Sequence, residues 1–191
     1  MSGGDTQWPR FEIFQQARPD GPFDNVGSVH APDAEMALQN ARDVFVRRPQ
    51  TATLWVVPAS AILTVTREEL ASGTGQPPPG AAADQTEQIY HVFTKSSQRR
   101  SMTFVTYHGD VLATSAEHAL EKMLLSEDGA HTYVYWVVPD AAITSSRPDD
   151  AESMFAPAHR KSFRLPGAYH TRTLMDEVRR ANEEPDNASD T

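Results

Sequence analysis

The chain has 191 residues, and its 17 Lys and Arg against 26 Asp and Glu give a formal net charge of -9, so one or two domains are expected. The acidic balance argues against nucleic-acid binding, and the lack of a long apolar run or a signal-peptide pattern predicts a cytoplasmic protein without a membrane span. Cysteine is absent, which excludes disulfides, thiolate nucleophiles, Cys-bound zinc and all-Cys iron–sulfur clusters.

The sequence contains an internal repeat. Residues 27–38 match residues 109–120 at seven of twelve positions, with an offset of 82. Residues 55–62 match residues 136–143 at six of eight positions, with an offset of 81, and both begin with the string Trp-Val-Val-Pro. Three blocks recur in the same order, because residues 11–14 also resemble residues 90–93. The chain is therefore predicted to be a tandem duplication.

Each repeat is predicted to fold as strand, strand, helix and strand. Short segments rich in β-branched and aromatic residues predict the strands, at 11–16, 25–31 and 53–57 and again at 89–95, 103–113 and 132–138. Apolar residues at helical spacing predict helices within 34–45 and 116–124. Small-residue runs after Pro58 and Pro139 predict single helical turns.

The helix starts differ between the repeats at the level of sequence. Thr114 with Glu117 three residues later matches a capping box. The matching position in the first repeat is Pro32, which offers no side-chain cap.

The remaining segments set the predicted domain boundaries. Residues 66–88 are rich in Pro, Gly and Ala, a composition typical of a linker. Residues 154–170 alternate aromatic and basic side chains and contain two prolines, which predicts an extended arm. Residues 171–180 predict a short helix, and the polar, acidic end predicts disorder. The expected division is repeat 1 at 8–65, linker at 66–88, repeat 2 with its arm at 89–171, and helix plus tail at 172–191.

This pattern predicts an α+β fold made of two tandem ββαβ repeats. Each repeat would be a small antiparallel sheet with one packed helix, and the two would be arranged around a pseudo-two-fold axis. The first repeat has no counterpart of the arm, so the two halves are expected to differ at their ends.

The chain offers no recognisable motif for chemistry. A carboxylate-bridged di-iron centre uses Glu followed by His three residues later, and that spacing does not occur. The seven histidines are scattered, no Gly-x-Ser-x-Gly elbow is found, and the one Gly-x-Gly lies in the linker. No catalytic residue, metal ligand or cofactor is therefore predicted.

Two groups of residues stand out as candidate contacts. The arm combines aromatic and basic side chains, and protein interfaces are enriched in aromatic residues and Arg. Its candidate interface residues are Phe155, Arg160, Lys161, Phe163, Arg164 and Tyr169. The same cluster would suit a phosphate-bearing cofactor, or an arm that packs on its own domain. Trp55 and Trp136 are predicted to be structural core residues, with a partner-facing anchor as the alternative.

Several of these strings resemble the PaaB family, whose members are the B component of the multicomponent phenylacetyl-CoA epoxidase. They are Trp8-Pro-Arg-Phe-Glu-Ile-Phe14, Val26-Gly-Ser-Val-His-Ala31, Met36-Ala-Leu-Gln-Asn-Ala-Arg-Asp43, Arg47-Arg48, Trp55-Val-Val57 and the arm Phe155-Ala-Pro-Ala-His-Arg-Lys-Ser-Phe-Arg-Leu-Pro-Gly-Ala-Tyr169. The resemblance covers nearly all of repeat 1, whereas repeat 2 diverges in its body and carries the family-like arm.

The resemblance implies a non-catalytic subunit that bridges and organises the catalytic subunits during aerobic phenylacetate degradation. Its implied partners are a di-iron catalytic subunit and that subunit's structural partner, with the reductase as a further candidate. Family members are usually one repeat long, so this chain is expected to be a covalent pseudo-dimer whose halves touch. The alternatives are an independent acyl-CoA or small-ligand binding module and a regulator of an aromatic degradation pathway.

Overall fold

The computed structural model describes residues 7–46, 51, 53–72, 86–97, 104–126, 132–160 and 171–183. The first repeat comprises β1 (Arg10–Gln16), β2 (Phe23–His30), α1 (Ala34–Phe45), β3 (Thr53–Pro58), a 3-10 turn (Ala59–Ala61), β4 (Leu63–Thr66) and α2 (Arg67–Ser72). The second comprises β5 (Gln88–Lys95), β6 (Thr106–Ala113), α3 (Ala116–Ser126), β7 (Val134–Pro139), a 3-10 turn (Asp140–Ala142), β8 (Thr144–Ser145), a further turn (Pro148–Asp150), α4 (Ala151–Arg160) and α5 (Thr171–Glu183). None of the helices in these ranges is long and apolar enough to cross a membrane.

The eight strands form one antiparallel sheet in the order β4-β7-β5-β6-β2-β1-β3-β8. In each repeat the first strand lies between the second and third, so β1 is flanked by β2 and β3, and β5 is flanked by β6 and β7. The two halves meet where β2 pairs with β6 at Asp24 and Thr106. Strands β1 to β4 are equivalent to β5 to β8, and with this equivalence the order is the same when it is followed from either end. The symmetric sheet with its helices confirms the predicted α+β class and the duplicated architecture.

The fourth strand of each repeat is exchanged between the halves. Strand β4 of repeat 1 pairs with β7 of repeat 2, from Leu63 opposite Val137 to Thr66 opposite Val134. Reciprocally, β8 of repeat 2 pairs with β3 of repeat 1. Each repeat therefore supplies the edge strand that completes the sheet of the other, an arrangement that the sequence patterns did not predict.

This exchange requires the sheet to fold back on itself. Strands β3 and β4 are six positions apart in the order, which would be about 29 Å in a flat sheet at ~4.8 Å per strand. The five residue steps from Pro58 to Leu63 reach at most ~18 Å when fully extended. The half-sheets must therefore face each other. Residues from both halves pack together in one cluster, hereafter the seam cluster: Phe14, Val57, Ile62, Phe93, Val105, Trp136 and Val138.

The opposite face of each half-sheet is covered by helices. On repeat 1, α1 packs over β1 and β3, and α4 of repeat 2 joins the same core through Met154, Phe155 and Ala158. On repeat 2, α3 packs over β5 and β7, and the same core includes Leu63 and Val65 of the exchanged β4. The helical layer is thus exchanged together with the edge strands.

Both repeat helices are capped one residue later than the sequence suggested. The Asp33 carboxylate accepts a hydrogen bond from the Met36 N–H at 2.8 Å, so α1 has a side-chain cap after all. The Ser115 hydroxyl accepts from the His118 N–H at 3.1 Å at the start of α3. The predicted capping box of Thr114 with Glu117 is therefore wrong.

Two expectations about the connecting segments also need correction. The predicted linker begins with helix α2, whose Leu70 packs against the core of repeat 2. The predicted extended arm is helical in its first part, because α4 continues to Arg160 with Pro157 inside it. The rest of the arm, residues 161–170, lies outside the described residues. The helical turns after Pro58 and Pro139 are confirmed.

The first prediction concerns two equivalent glycines beside the strand irregularities in the β1–β2 and β5–β6 hairpins. Gly27 has a φ of +135°, and a Cβ placed there would lie 2.8 Å from Phe45 Cζ. We expect Gly27→Ala to lower the free energy of unfolding by ~1–3 kcal/mol, because a side chain there adds backbone strain to overpacking. The measurement is urea denaturation followed by tryptophan fluorescence.

The matched control is Gly109→Ala at the equivalent position of repeat 2. A Cβ there meets nothing within 4 Å, so the change should stay within about 0.5 kcal/mol. Equal losses for the two variants would contradict the close packing of Phe45 on the first hairpin.

Candidate functional site

The predicted interface residues divide into one core residue and a group that is largely undescribed. Phe155 is only 5% exposed and packs in the core under α1, so its side chain does not lie at the surface. Arg160 is the last residue of α4. The other members, Lys161, Phe163, Arg164 and Tyr169, lie outside the described residues. For all of these except Phe155, the interface role stays a prediction.

The two tryptophans lie at equivalent places on β3 and β7 and are buried to different depths. Trp136 is 8% exposed and belongs to the seam cluster, with its ring edge-on to Phe14 at 6.3 Å. Its indole N–H is buried with no hydrogen-bond partner among the residues that the structure describes. Trp55 is half-buried and stacks on Phe23 at a centroid distance of 3.5 Å.

The centre of the seam is a contact between equivalent residues of the two repeats. The ring centroids of Phe14 and Phe93 lie 4.3 Å apart. Two residues at the same position of a repeat can touch only near the axis that relates the repeats. The pseudo-two-fold axis therefore passes close to this aromatic pair, and the halves touch as the pseudo-dimer hypothesis requires.

A polar cluster of repeat 2 lies beside the seam. His91 is 7% exposed, and its Nδ1 lies 2.6 Å from Asp110 Oδ1 while its Nε2 lies 3.0 Å from Asp140 Oδ1. The ring of Trp55, from repeat 1, lies 4.9 Å from the imidazole. Burial, together with the hydrogen bond and charge of Asp110, raises the pKa of Tyr107 well above its usual range. We call His91, Tyr107, Asp110 and Asp140 the histidine cluster.

Repeat 1 places a different group at the position of His91. Glu12 is also buried, and its Oε2 accepts a hydrogen bond from Asn25 Nδ2 at 3.3 Å. Its Oε1 lies 3.2 Å from Arg10 Nε. Burial raises the pKa of Glu12, and this effect outweighs the opposing influence of Arg10 and Asn25. The two halves have therefore diverged at one equivalent buried position, with an acid in one and an imidazole in the other.

The geometry of the histidine cluster limits what His91 does. Both ring nitrogens face carboxylate oxygens, so neither points at a hydroxyl that it could deprotonate. Within the described ranges, no group of three or more His, Asp or Glu side chains is placed to hold a metal ion. The scattered histidines of the sequence gave no reason to single out His91. The register of the β5–β6 hairpin places it directly opposite Asp110, so pairing the two strands is the step that would have predicted this contact.

Helix α5 presents an unburied apolar stripe. Leu174, Met175 and Val178 fall on one side of the helix and are 57%, 68% and 60% exposed. An isolated helix of this length has little stability of its own in water. Packing of the stripe on an apolar surface would supply the missing stabilisation. The stripe immediately follows the arm, so both features lie at the same end of the chain.

Comparison with known proteins gives a consistent pattern. The family model described as "PaaB: Phenylacetic acid degradation B" matches residues 7–76 and 86–175, which is one segment for each repeat. A relative from Escherichia coli (strain K12), named as a subunit of 1,2-phenylacetyl-CoA epoxidase, is 44% identical over 62 residues. The alignment covers 32% of this chain and 65% of the relative, slightly less than two thirds of its length. No solved structure matches.

The second prediction follows from the buried carboxyl of Glu12. A carboxyl whose pKa is raised in the folded state contributes stability that is complete below its unfolded pKa and is lost as pH rises through the folded pKa. We therefore expect the wild-type protein to lose stability relative to Glu12→Gln between about pH 4 and pH 7. The measurement is urea denaturation of both proteins across that range.

Glu69→Gln is the matched control, because the pKa of Glu69 is lowered by hydrogen bonds from the backbone and side chain of Thr66. Its contribution has the opposite sign: it is present above the unfolded pKa and lost as pH falls. A Glu12 difference that stays constant with pH would show that the pKa of Glu12 is the same in the folded and unfolded chains, and a slope of the same sign as that of Glu69 would show that it is lowered on folding; either result contradicts the prediction.

Proposed function

This chain belongs to the PaaB family of phenylacetic acid degradation, and on that basis we propose that it is a non-catalytic bridging subunit of a di-iron phenylacetyl-CoA epoxidase. The observation that carries the proposal is the two-segment family match on a chain whose two segments share one sheet. The name of the Escherichia coli relative supplies the complex and its substrate class. The proposed site of action is the cytoplasm.

The pseudo-two-fold arrangement supports a bridging role. A molecule with two related halves presents two related outer surfaces, here the solvent sides of α1 and α3. A subunit of that shape is suited to join two copies of one partner, because each surface docks one copy. The proposed partners are the di-iron catalytic subunit and its structural partner subunit, with the reductase as a further candidate.

The proposed docking element is the C-terminal part of repeat 2. This part contains Arg160, Arg164 and Tyr169, whose residue types are enriched at binding hot spots, together with Lys161 and Phe163. The exposed stripe of α5 follows them directly and adds apolar area that has no cover within the described part of the chain. Repeat 1 has no such extension, so the two halves are proposed to contact the catalytic subunits unequally.

The proposal is tested by co-expression with a di-iron catalytic subunit and its partner from a phenylacetyl-CoA epoxidase. We expect a complex that co-purifies through size exclusion at a defined stoichiometry. The isolated chain should show no heat of binding with phenylacetyl-CoA in calorimetry. Absence of a complex together with direct binding of the thioester would instead establish the small-ligand binding module.

The third prediction separates docking residues from packing residues in the arm. Phe163→Ala, Arg164→Ala and Tyr169→Ala should each weaken complex formation by roughly tenfold or more, as expected for interface anchors, and should leave the free energy of unfolding unchanged. The affinity is measured by surface plasmon resonance with the purified catalytic pair.

The control is Phe155→Ala, which removes a side chain buried in the core beneath α1. It should lower the free energy of unfolding by about 3–5 kcal/mol, the usual cost of truncating a buried Phe. If the three arm variants lose stability in the same way, or bind the catalytic pair as tightly as wild type, the arm does not dock the partner.

A further inference from the structure

An open groove lies between α1 of repeat 1 and the exchanged end of repeat 2. It has a volume of about 470 Å³ and is walled by α1 on one side and by β8, the following turn and the start of α4 on the other. Its polar lining includes Glu35, Arg42, Thr144, Ser146, Arg147 and Asp150. We call it the β8 groove.

The duplication provides an internal comparison for this groove. The positions in the other half that correspond to Thr144, Ser146 and Arg42 are Leu63, Val65 and Leu124. Leu63 and Val65 are each 2% exposed, and Leu124 and Leu70 pack against the same core. The equivalent place is therefore filled with apolar side chains in one half and lined with hydroxyl and guanidinium groups in the other.

The β8 groove also exposes main-chain hydrogen-bonding groups. The Ser146 N–H donates to the Leu54 carbonyl oxygen at 2.9 Å, and the Leu54 N–H donates to the Ser146 hydroxyl at 3.0 Å. Successive residues of an antiparallel strand alternate in direction, so the N–H and C=O of Ser145 turn away from β3. No strand in the described part of the chain pairs with this side of β8, so these groups lie at an edge of the sheet beside the groove.

The edge strand on the side of repeat 2 is β4, and its last residue caps the helix that follows it. Thr66 donates its N–H to Glu69 Oε2 at 2.8 Å, and its hydroxyl accepts from the Glu69 N–H at 3.2 Å, which makes a complete capping box for α2. Arg147 takes the place of Thr66 in repeat 2. Its exposed side chain makes no ion pair or hydrogen bond with any residue that the structure describes.

We propose that the β8 groove docks an extended segment of a partner subunit, which adds as a strand to the free edge of β8 and places one carboxylate against Arg147. The inference rests on the proposed function, because the partner is a subunit of the same complex. Strand addition uses exposed edge groups together with flanking side chains. The two-residue β8 offers few edge groups, so most of the recognition falls to the side chains of the groove. Because Glu35 and Asp150 also line it, a segment with a single carboxylate fits better than an acidic run.

Along the chain, the last residues that line the groove come shortly before the proposed docking element. The wall of the groove includes Ser153 and Met154 of α4, and α4 leads directly into the arm. The groove and the proposed docking element therefore both belong to the C-terminal part of repeat 2.

The test is amide hydrogen exchange by mass spectrometry on the full chain, alone and in the co-expressed complex. We expect the Ser145 amide to exchange rapidly in the free protein and at least tenfold more slowly in the complex. The Thr64 amide, at the equivalent outward position on β4, should change less than twofold. Protection of Ser145 already in the free protein would overturn the proposal, since the edge would be covered by the chain itself.

A charge-reversal pair provides the second measurement. Arg147→Glu should weaken assembly with the catalytic pair by ~10-fold or more, whereas Arg67→Glu, next to the end of β4, should change it less than twofold. A complex that forms normally with Ser145 unprotected and Arg147→Glu without effect overturns the groove proposal alone. Failure of the wild-type chain to form any complex overturns the bridging function and this inference together.

Discussion

Each half of this protein lacks an edge strand that the other half supplies. Without β8, β3 would end the first half-sheet with an open edge, and without β4, β7 would do the same for the second. Antiparallel edges left open in this way pair with other chains, so the exchange satisfies main-chain groups that would otherwise favour association. The facing aromatic seam follows directly, because short connections between β3 and β4 and between β7 and β8 hold the half-sheets face to face.

The exchange also explains how the helical layer is shared. The chain that leaves β8 emerges on the side of repeat 1, so α4 buries Met154, Phe155 and Ala158 in the core of repeat 1 rather than in its own. The chain that leaves β4 emerges on the side of repeat 2, and Leu70 of α2 packs there in the same way. Separating the halves would expose these side chains together with the seam, so each repeat depends on the other for part of its core.

Once two repeats are joined in one chain, equivalent positions are also free to diverge, as Glu12 and His91 have done. A symmetric homodimer would have to accept each change twice.

The sequence predicted the elements well and their partners poorly, for a physical reason. Periodicity of apolar residues reports which face of a strand is buried, so it predicts the first three strands and the helix of each repeat. It does not report which strand lies alongside, and the exchange of β4 and β8 therefore leaves no signal in it. Pro157 and the alternating arm favour an extended chain where the structure has α4, although Met154, Phe155 and Ala158 have helical spacing. The same helical spacing predicts that Phe155 is a core residue, as the structure shows, rather than the interface residue that the alternating pattern of the arm suggested.

The short length of β8 sets the character of any contact made at its edge. The strand has two residues, and Pro148 follows it closely and cannot donate a main-chain hydrogen bond. Short edge strands with nearby proline limit indiscriminate strand pairing. An added segment would therefore gain few main-chain bonds here, and its recognition would depend on Arg147 and the hydroxyl groups of the groove. Such a contact would fix the orientation of a partner more than it would add to the affinity.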